Sequence, residues 1–118
     1  MGWFARKKQV IEEAVVEQAV IVHYNLSDDE FGLLEEREAV FQLENRLESL
    51  VERHQVGEFD GNEFGGGEAV LYCYGPDADR LFAAIEEELR SFTARPAYAT
   101  LRYGESTDPS ATERRIEL

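Results

Sequence analysis

Ala69-Val70-Leu71-Tyr72-Cys73-Tyr74 is the clearest strand in the chain, and Gly75-Pro76-Asp77 follows it directly. Apolar and aromatic residues over six positions fit a pleated, half-buried surface. Pro76 is preorganised for the first turn of a helix, and Asp77 can accept a hydrogen bond from one of its orphan N–H groups. A helix therefore begins here, with Ala78, Leu81, Phe82, Ile85 and Leu89 as its apolar stripe. Pro96 stops it. Tyr98–Tyr103 reads as a final strand closed by Gly104, and the polar stretch from Glu105 to Leu118 reads as a loose tail or at most a short helix.

Upstream of this unit, Gly65-Gly66-Gly67 and Asp60-Gly61-Asn62 are turn chemistry, and Gln55–Asp60 reads as a short edge strand. Val40, Leu43, Leu47, Leu50 and Val51 recur at helical spacing and predict a long helix ending near Arg53-His54. Ser27 followed by Glu30 is a capping-box pattern that places its start, with Asp28 and Asp29 favourable at the positive end of the helix dipole and Gly32 able to break the first turn. Glu17–Tyr24 reads as a strand apolar on both faces. A short helix is expected over residues 4–15.

The order is strand, helix, strand, strand, helix, strand. Each helix can act as a right-handed crossover, so the expected fold is α+β, ferredoxin-like βαββαβ. It has one four-stranded antiparallel sheet in the order 4-1-3-2 and both helices on one face. Residues 1–118 form a single domain on the size prior, with 1–15 and 105–118 as its loose ends. Strand alternation puts Ala69, Leu71 and Cys73 under the helices. The open face then carries Tyr72, Tyr74, Tyr98 and Arg102, with His23 or Tyr24 beside them. Tyr and Arg are enriched at interface hot spots, so this face is a candidate surface for a partner or a homodimer, or a place for the chain's own ends to cover; base stacking, as on RNA-binding sheets of this topology, would need a basic rim that the sequence does not supply.

Charge is the strongest compositional signal. The chain holds 25 acidic and 12 basic residues, a net charge of −13. Such a field repels nucleic acid, whose binding rests on phosphate neutralisation by Lys and Arg. It attracts a basic protein, although plain solubility is the commoner reason for such a charge. The acidic residues crowd the first long helix and the following hairpin, making Glu35, Glu36, Glu44, Glu48, Glu58, Asp60 and Glu63 the candidate partner-binding residues. No run reaches the roughly 18 apolar residues of a membrane span, and no apolar stretch of signal-peptide length follows the basic start. Trp3 and Phe4 with Arg6, Lys7 and Lys8 could at most touch a membrane surface. The lone cysteine, Cys73, excludes an internal disulfide and fits a cytoplasmic home.

Signals for chemistry are sparse, and no catalytic residue, metal or cofactor is assigned. Asp60-Gly61-Asn62-Glu63 begins like a calcium loop, but Phe64 and Leu71 fall where oxygen ligands belong. The triple glycine precedes a strand and no Lys follows, so it is no phosphate cradle. His23 and His54 lack zinc spacing, and Ser27 and Ser91 lack a nucleophile signature.

His23-Tyr24-Asn25-Leu26-Ser27-Asp28-Asp29-Glu30-Phe31, leading into a Leu- and Glu-rich helix, resembles the first strand and helix of the regulator of ribonuclease activity B family. Val56-Gly57-Glu58-Phe59-Asp60-Gly61 is similar to a "GVEYDGW" segment of that family, with Asn62 in place of its tryptophan. Those proteins look like acidic ferredoxin-like domains that inhibit a nuclease by binding it. The resemblance implies inhibition by binding and assigns no residue a role. A small immunity-type protein that neutralises a toxin has the same physical profile. The alternative is a homodimeric small-molecule-binding or enzyme domain, in which two open sheet faces enclose a pocket.

Overall fold

The computed structural model describes residues 16–118. The helix expected over residues 4–15, and the surface contact through Trp3 and Phe4, lie outside them. The elements are β1 (Gln18–Asn25), α1 (Leu34–His54), β2 (Glu58–Gly65), β3 (Glu68–Gly75), α2 (Ala78–Ser91), β4 (Ala97–Arg102) and β5 (Glu113–Glu117). The architecture is α+β, with two helices and one five-stranded antiparallel sheet in the order β2-β3-β1-β4-β5.

The expected strand count is short by one, because the tail is not loose. β5 pairs along β4 from Arg102↔Glu113 to Tyr98↔Glu117, and the Leu118 N–H donates to the Ala97 carbonyl at 2.9 Å. Glu-Arg-Arg-Ile-Glu has too little apolar alternation to announce a strand. What recruits it is the unpaired edge of β4, with Ile116 and Leu118 packing against the margin of the core.

The core lies between one sheet face and the two helices. Val20, Val22, Tyr24, Ala69, Leu71, Cys73, Ala97, Ala99 and Leu101 are buried on the sheet side. Val40, Leu43, Leu47 and Val51 of α1 meet them, with Ala78, Leu81, Phe82, Ile85 and Leu89 of α2. The small residues Ala69, Ala97 and Ala99 let the helices approach the sheet closely. Tyr24 is fully buried here and not on the open face; its hydroxyl donates to the Leu89 carbonyl at 2.7 Å. Leu89 lies in the last turn of α2, where carbonyls have no partner within the helix, so the phenol fills a vacancy that every helix end creates.

α1 begins at Leu34 with Leu33 as its N-cap, six residues later than the Ser27 signal suggested. Asp28 Oδ1 accepts from the Glu30 and Gly32 N–H groups at 3.0 and 2.9 Å, folding residues 28–32 into a turn. Gly32 at φ +81° then keeps that turn from joining the helix. Glu36, not Glu30, reaches back: its Oε1 accepts from the Leu33 N–H at 2.8 Å and from Ser27 Oγ at 2.9 Å. The helix closes at Gln55, whose left-handed backbone (φ 53°) returns its N–H to the Glu52 carbonyl. At the start of α2, Asp77 caps as expected, accepting from the Arg80 N–H.

β2 also begins later than expected and runs straight through Asp60-Gly61-Asn62. A bulge between Phe59 and Gly61 absorbs the extra residue that turn chemistry had signalled. Ahead of it, Gly57 crosses the end of β3 at Gly75 so closely that a Cβ on either would strike the other strand's backbone.

Candidate functional site

Register places the open face residue by residue. One row across the sheet reads Glu63, Val70, His23, Tyr98, Glu117. The next reads Gly61, Tyr72, Ile21, Thr100, Arg115, and the third Glu58, Tyr74, Ala19, Arg102, Glu113. Tyr72, Tyr74, Tyr98 and Arg102 therefore share this face, together with His23, and all are half-buried.

Most of these side chains are engaged within the molecule. His23 and Tyr98 stack with ring centroids 4.4 Å apart and planes 10° apart, and the Arg115 guanidinium lies 3.6 Å over the other side of Tyr98. Carboxylates end the stack on both sides: Glu68 Oε1 is 3.2 Å from His23 Nδ1, and Glu117 Oε2 is 2.6 Å from Arg115 Nε. Arg102 donates to Glu113 at 2.8 Å and to the carbonyls of Glu105 and Asp108, so it holds the loop between β4 and β5. The Tyr72 hydroxyl donates to Glu63 at 2.8 Å, and burial first, then that bond, push its phenol up to about 12. A recess of about 40 Å³ remains beside Tyr74, Arg102 and Ser106. β5 thus widens this face by one strand, lays Arg115 over Tyr98, and the loop before it is held against the face by Arg102.

The seven acidic candidates do not form one cluster. Glu58 and Glu63 stand on the open face, opposite Tyr74 and Val70. Glu35, Glu36, Glu44 and Glu48 belong to α1, on the other side of the sheet. Glu36 is occupied by the helix cap; the Leu33 N–H first, then the Ser27 hydroxyl, hold its carboxyl below the usual range. Glu44 accepts from Asn62 Nδ2 at 2.6 Å, while its burial pushes its carboxyl upward. Asp60 is exposed at the bulge. Its charge, with that of Glu44, adds to the burial that pushes the Cys73 thiol up to about 12, far from a reactive thiolate. The remaining α1 carboxylates Glu35, Glu38, Glu48 and Glu52 are exposed, and none is paired with a base among the described residues.

Charge separates along the chain. Residues 16–75 carry fourteen carboxylates against three arginines, and residues 76–118 nine against six. The second group pairs internally, as in Arg90–Glu86, Arg102–Glu113 and Arg115–Glu117. The first group therefore dominates the field outside.

A further surface lies where α1 begins. Phe31, Leu33, Leu34 and Phe41 are 57%, 55%, 60% and 46% exposed, among the most exposed large apolar side chains described. Sequence reading passed over them, because the stripe through Val40, Leu43 and Leu47 accounted for the helix. The legible signal was the apolar surplus off that stripe: Leu34 and Phe41, seven residues apart, share a different face. Between the helices runs a polar groove of about 500 Å³, bordered by Asn45, Arg46, Arg53 and Glu88, with Arg46 bonded to Glu88 at 2.7 Å. Among the described residues no group of three or more His, Cys, Asp or Glu side chains could hold a metal ion, and no helix is long and apolar enough to cross a membrane.

The chain is thus an α+β protein whose open sheet face is engaged by internal contacts, with an acidic helical flank and an apolar corner. No family model matches it, and no curated protein or solved structure matches it either.

Proposed function

We propose that the protein is a small acidic module of ferredoxin-like topology that binds a basic protein, acting as an inhibitor or immunity-type protein toward a partner such as a nuclease or toxin. The observation that carries this reading is the outer side of α1, where Glu35, Glu38, Glu48 and Glu52 are exposed and unpaired among the described residues. Uncompensated carboxylates concentrated on one flank steer a cationic partner and fix its approach. The likeness of residues 23–31 and 56–61 to the regulator of ribonuclease activity B family points to the same mode of action. The homodimeric alternative has less support, since Arg102 and Tyr98 of the open face already hold the molecule's own loop and β5.

The test is to immobilise the full chain, pass source-cell extract at about 50 mM salt and elute with a salt gradient. The expected result is a stoichiometric basic partner, with an affinity that falls as salt rises and, for a nuclease, an activity lost at equimolar inhibitor. A stoichiometric partner of acidic charge, or a complex indifferent to ionic strength, overturns the reading.

A further inference from the structure

We propose that the corner formed by Phe31, Leu33, Leu34 and Phe41 is the docking point of that partner, and that it takes an amphipathic helical segment with apolar side chains on one face and Lys or Arg flanking them. The inference rests on the reading of the protein as a binder of basic proteins, and gives that reading a place and a shape.

Three structural facts bring these residues together. Leu34 and Phe41 are seven positions apart on α1, so they sit on one face about 10 Å apart along the axis. Phe41 packs edge-on against Phe64 of β2 with ring centroids 5.8 Å apart, which ties this helix face to the hairpin tip. The loop carrying Phe31 and Leu33 is bound to the same tip. The Gly67 N–H donates to the Glu30 carbonyl and the Leu26 N–H to the Gly67 carbonyl, both at 2.8 Å. Gly67, at φ +81°, leaves no room for a Cβ against the Asp28 carbonyl, so the seat of the loop depends on that glycine. The corner is therefore tied to the hairpin tip twice, by backbone bonds through Gly67 and by the Phe41–Phe64 ring contact.

An exposed apolar patch within a polar rim is often an interaction site. The rim defines the occupant. Over residues 28–38 six carboxylates stand against one arginine. Asp28, Asp29, Glu30, Glu35 and Glu38 are exposed, whereas Arg37 is half-buried and its guanidinium donates to the Gly32 carbonyl at 2.6 Å. An acidic or neutral apolar surface would bring no counter-charge to this ring. A cationic amphipathic segment does, and anchors one helical turn or two apart match the Leu34–Phe41 spacing.

The experiment uses the full chain and two labelled synthetic peptides of about eighteen residues, five helical turns. Both contain the same leucines, lysines and arginines. One places its leucines on a single helical face, and the other scrambles them. The patterned peptide is expected to bind at least about tenfold more tightly. In F31S/L34S that advantage disappears, while the scrambled peptide binds both proteins alike; amide shifts on binding the patterned peptide centre on residues 28–42 and 64. Equal affinity for both peptides, or shifts on the open sheet face, overturns the docking site but leaves the charge-based reading standing. If neither peptide binds at low salt, the charge-based reading itself fails. Two other occupants have their own signatures, and either counts against the proposal. Concentration-dependent association abolished by F31S/L34S would make the corner a self-interface. At least tenfold tighter peptide binding by R6Q/K7Q/K8Q would make the chain's own basic N-terminus its occupant.

Discussion

Tyr24 shows how a single side chain can be misplaced by its chemistry and correctly placed by its position. A tyrosine beside a histidine invites an interfacial role, yet Val20, Val22 and Tyr24 are two apart and must face the same way. Its hydroxyl finds its partner only because α2 happens to end above it. Tyr24→Phe leaves the Leu89 carbonyl buried and unbonded and is expected to cost about 1–2 kcal/mol in urea denaturation; an unchanged midpoint would mean that water replaces the bond. Glu44 makes the opposite kind of statement. Its burial raises the carboxyl pKa in the folded state, so folding binds this proton more tightly than the unfolded chain does. The stabilisation linked to that proton is complete below the ordinary carboxylate range and is lost as pH rises through the folded value. Glu44→Gln keeps an acceptor for Asn62 without the charge. The variant should therefore unfold at higher urea than the parent at pH 7, with the gap closing below about pH 4. A gap that widens on acidification would reverse the assignment.

At the level of elements, β5 matters most. It converts β4 from an exposed edge into an interior strand and supplies Arg115 to the Tyr98 stack. The carbonyls of Glu117 and Leu118 also accept from Arg90 of α2, tying the last strand to the helix layer. Removing residues 113–118 forfeits a short ladder and the packing of Ile116 and Leu118, a loss of about 2–4 kcal/mol. It also bares the edge of β4, so the shortened chain should self-associate in sedimentation more strongly than the full chain. A shortened chain of unaltered stability and mass would show β5 to be an appendage. α1 illustrates a different dependence. Its stripe was plain in the sequence, but its first residue was set by a contest between two caps, Ser27 with Glu30 and Leu33 with Glu36. The Asp28 turn decided it.

For the whole molecule the governing quantity is the charge of −13 and its uneven placement. Carboxylates facing one another across α1 and its loop repel within the fold, and salt screens them over about 10 Å at 0.1 M. The melting temperature should therefore climb as salt is raised from about 0.01 to 0.3 M, while affinity for a cationic partner falls over the same range. The two trends have opposite signs and one cause. A flat melting temperature would mean that the carboxylates are already balanced by bound cations or by one another's pKa values.

Local chemistry made β3, the stripes of both helices, the Asp77 cap and the parity of the sheet faces readable from residues alone. Each depends on neighbours within a few positions, where periods of 2 and 3.6 apply. Candidate residues fared by the same rule. Tyr72, Tyr74, Tyr98 and Arg102 could be assigned to one face by alternation, but the internal partners that engage Tyr72, Tyr98 and Arg102 could not be foreseen. The seven acidic residues could be counted, but not sorted between the two sides of the sheet. β5, the Glu44–Asn62 bond, the engagement of the open face by residues 105–117 and the apolar corner joining α1 to the hairpin tip all arise between segments distant in the chain. Such contacts are fixed by which edges and faces remain unfilled after the core has packed, and no local pattern encodes that remainder.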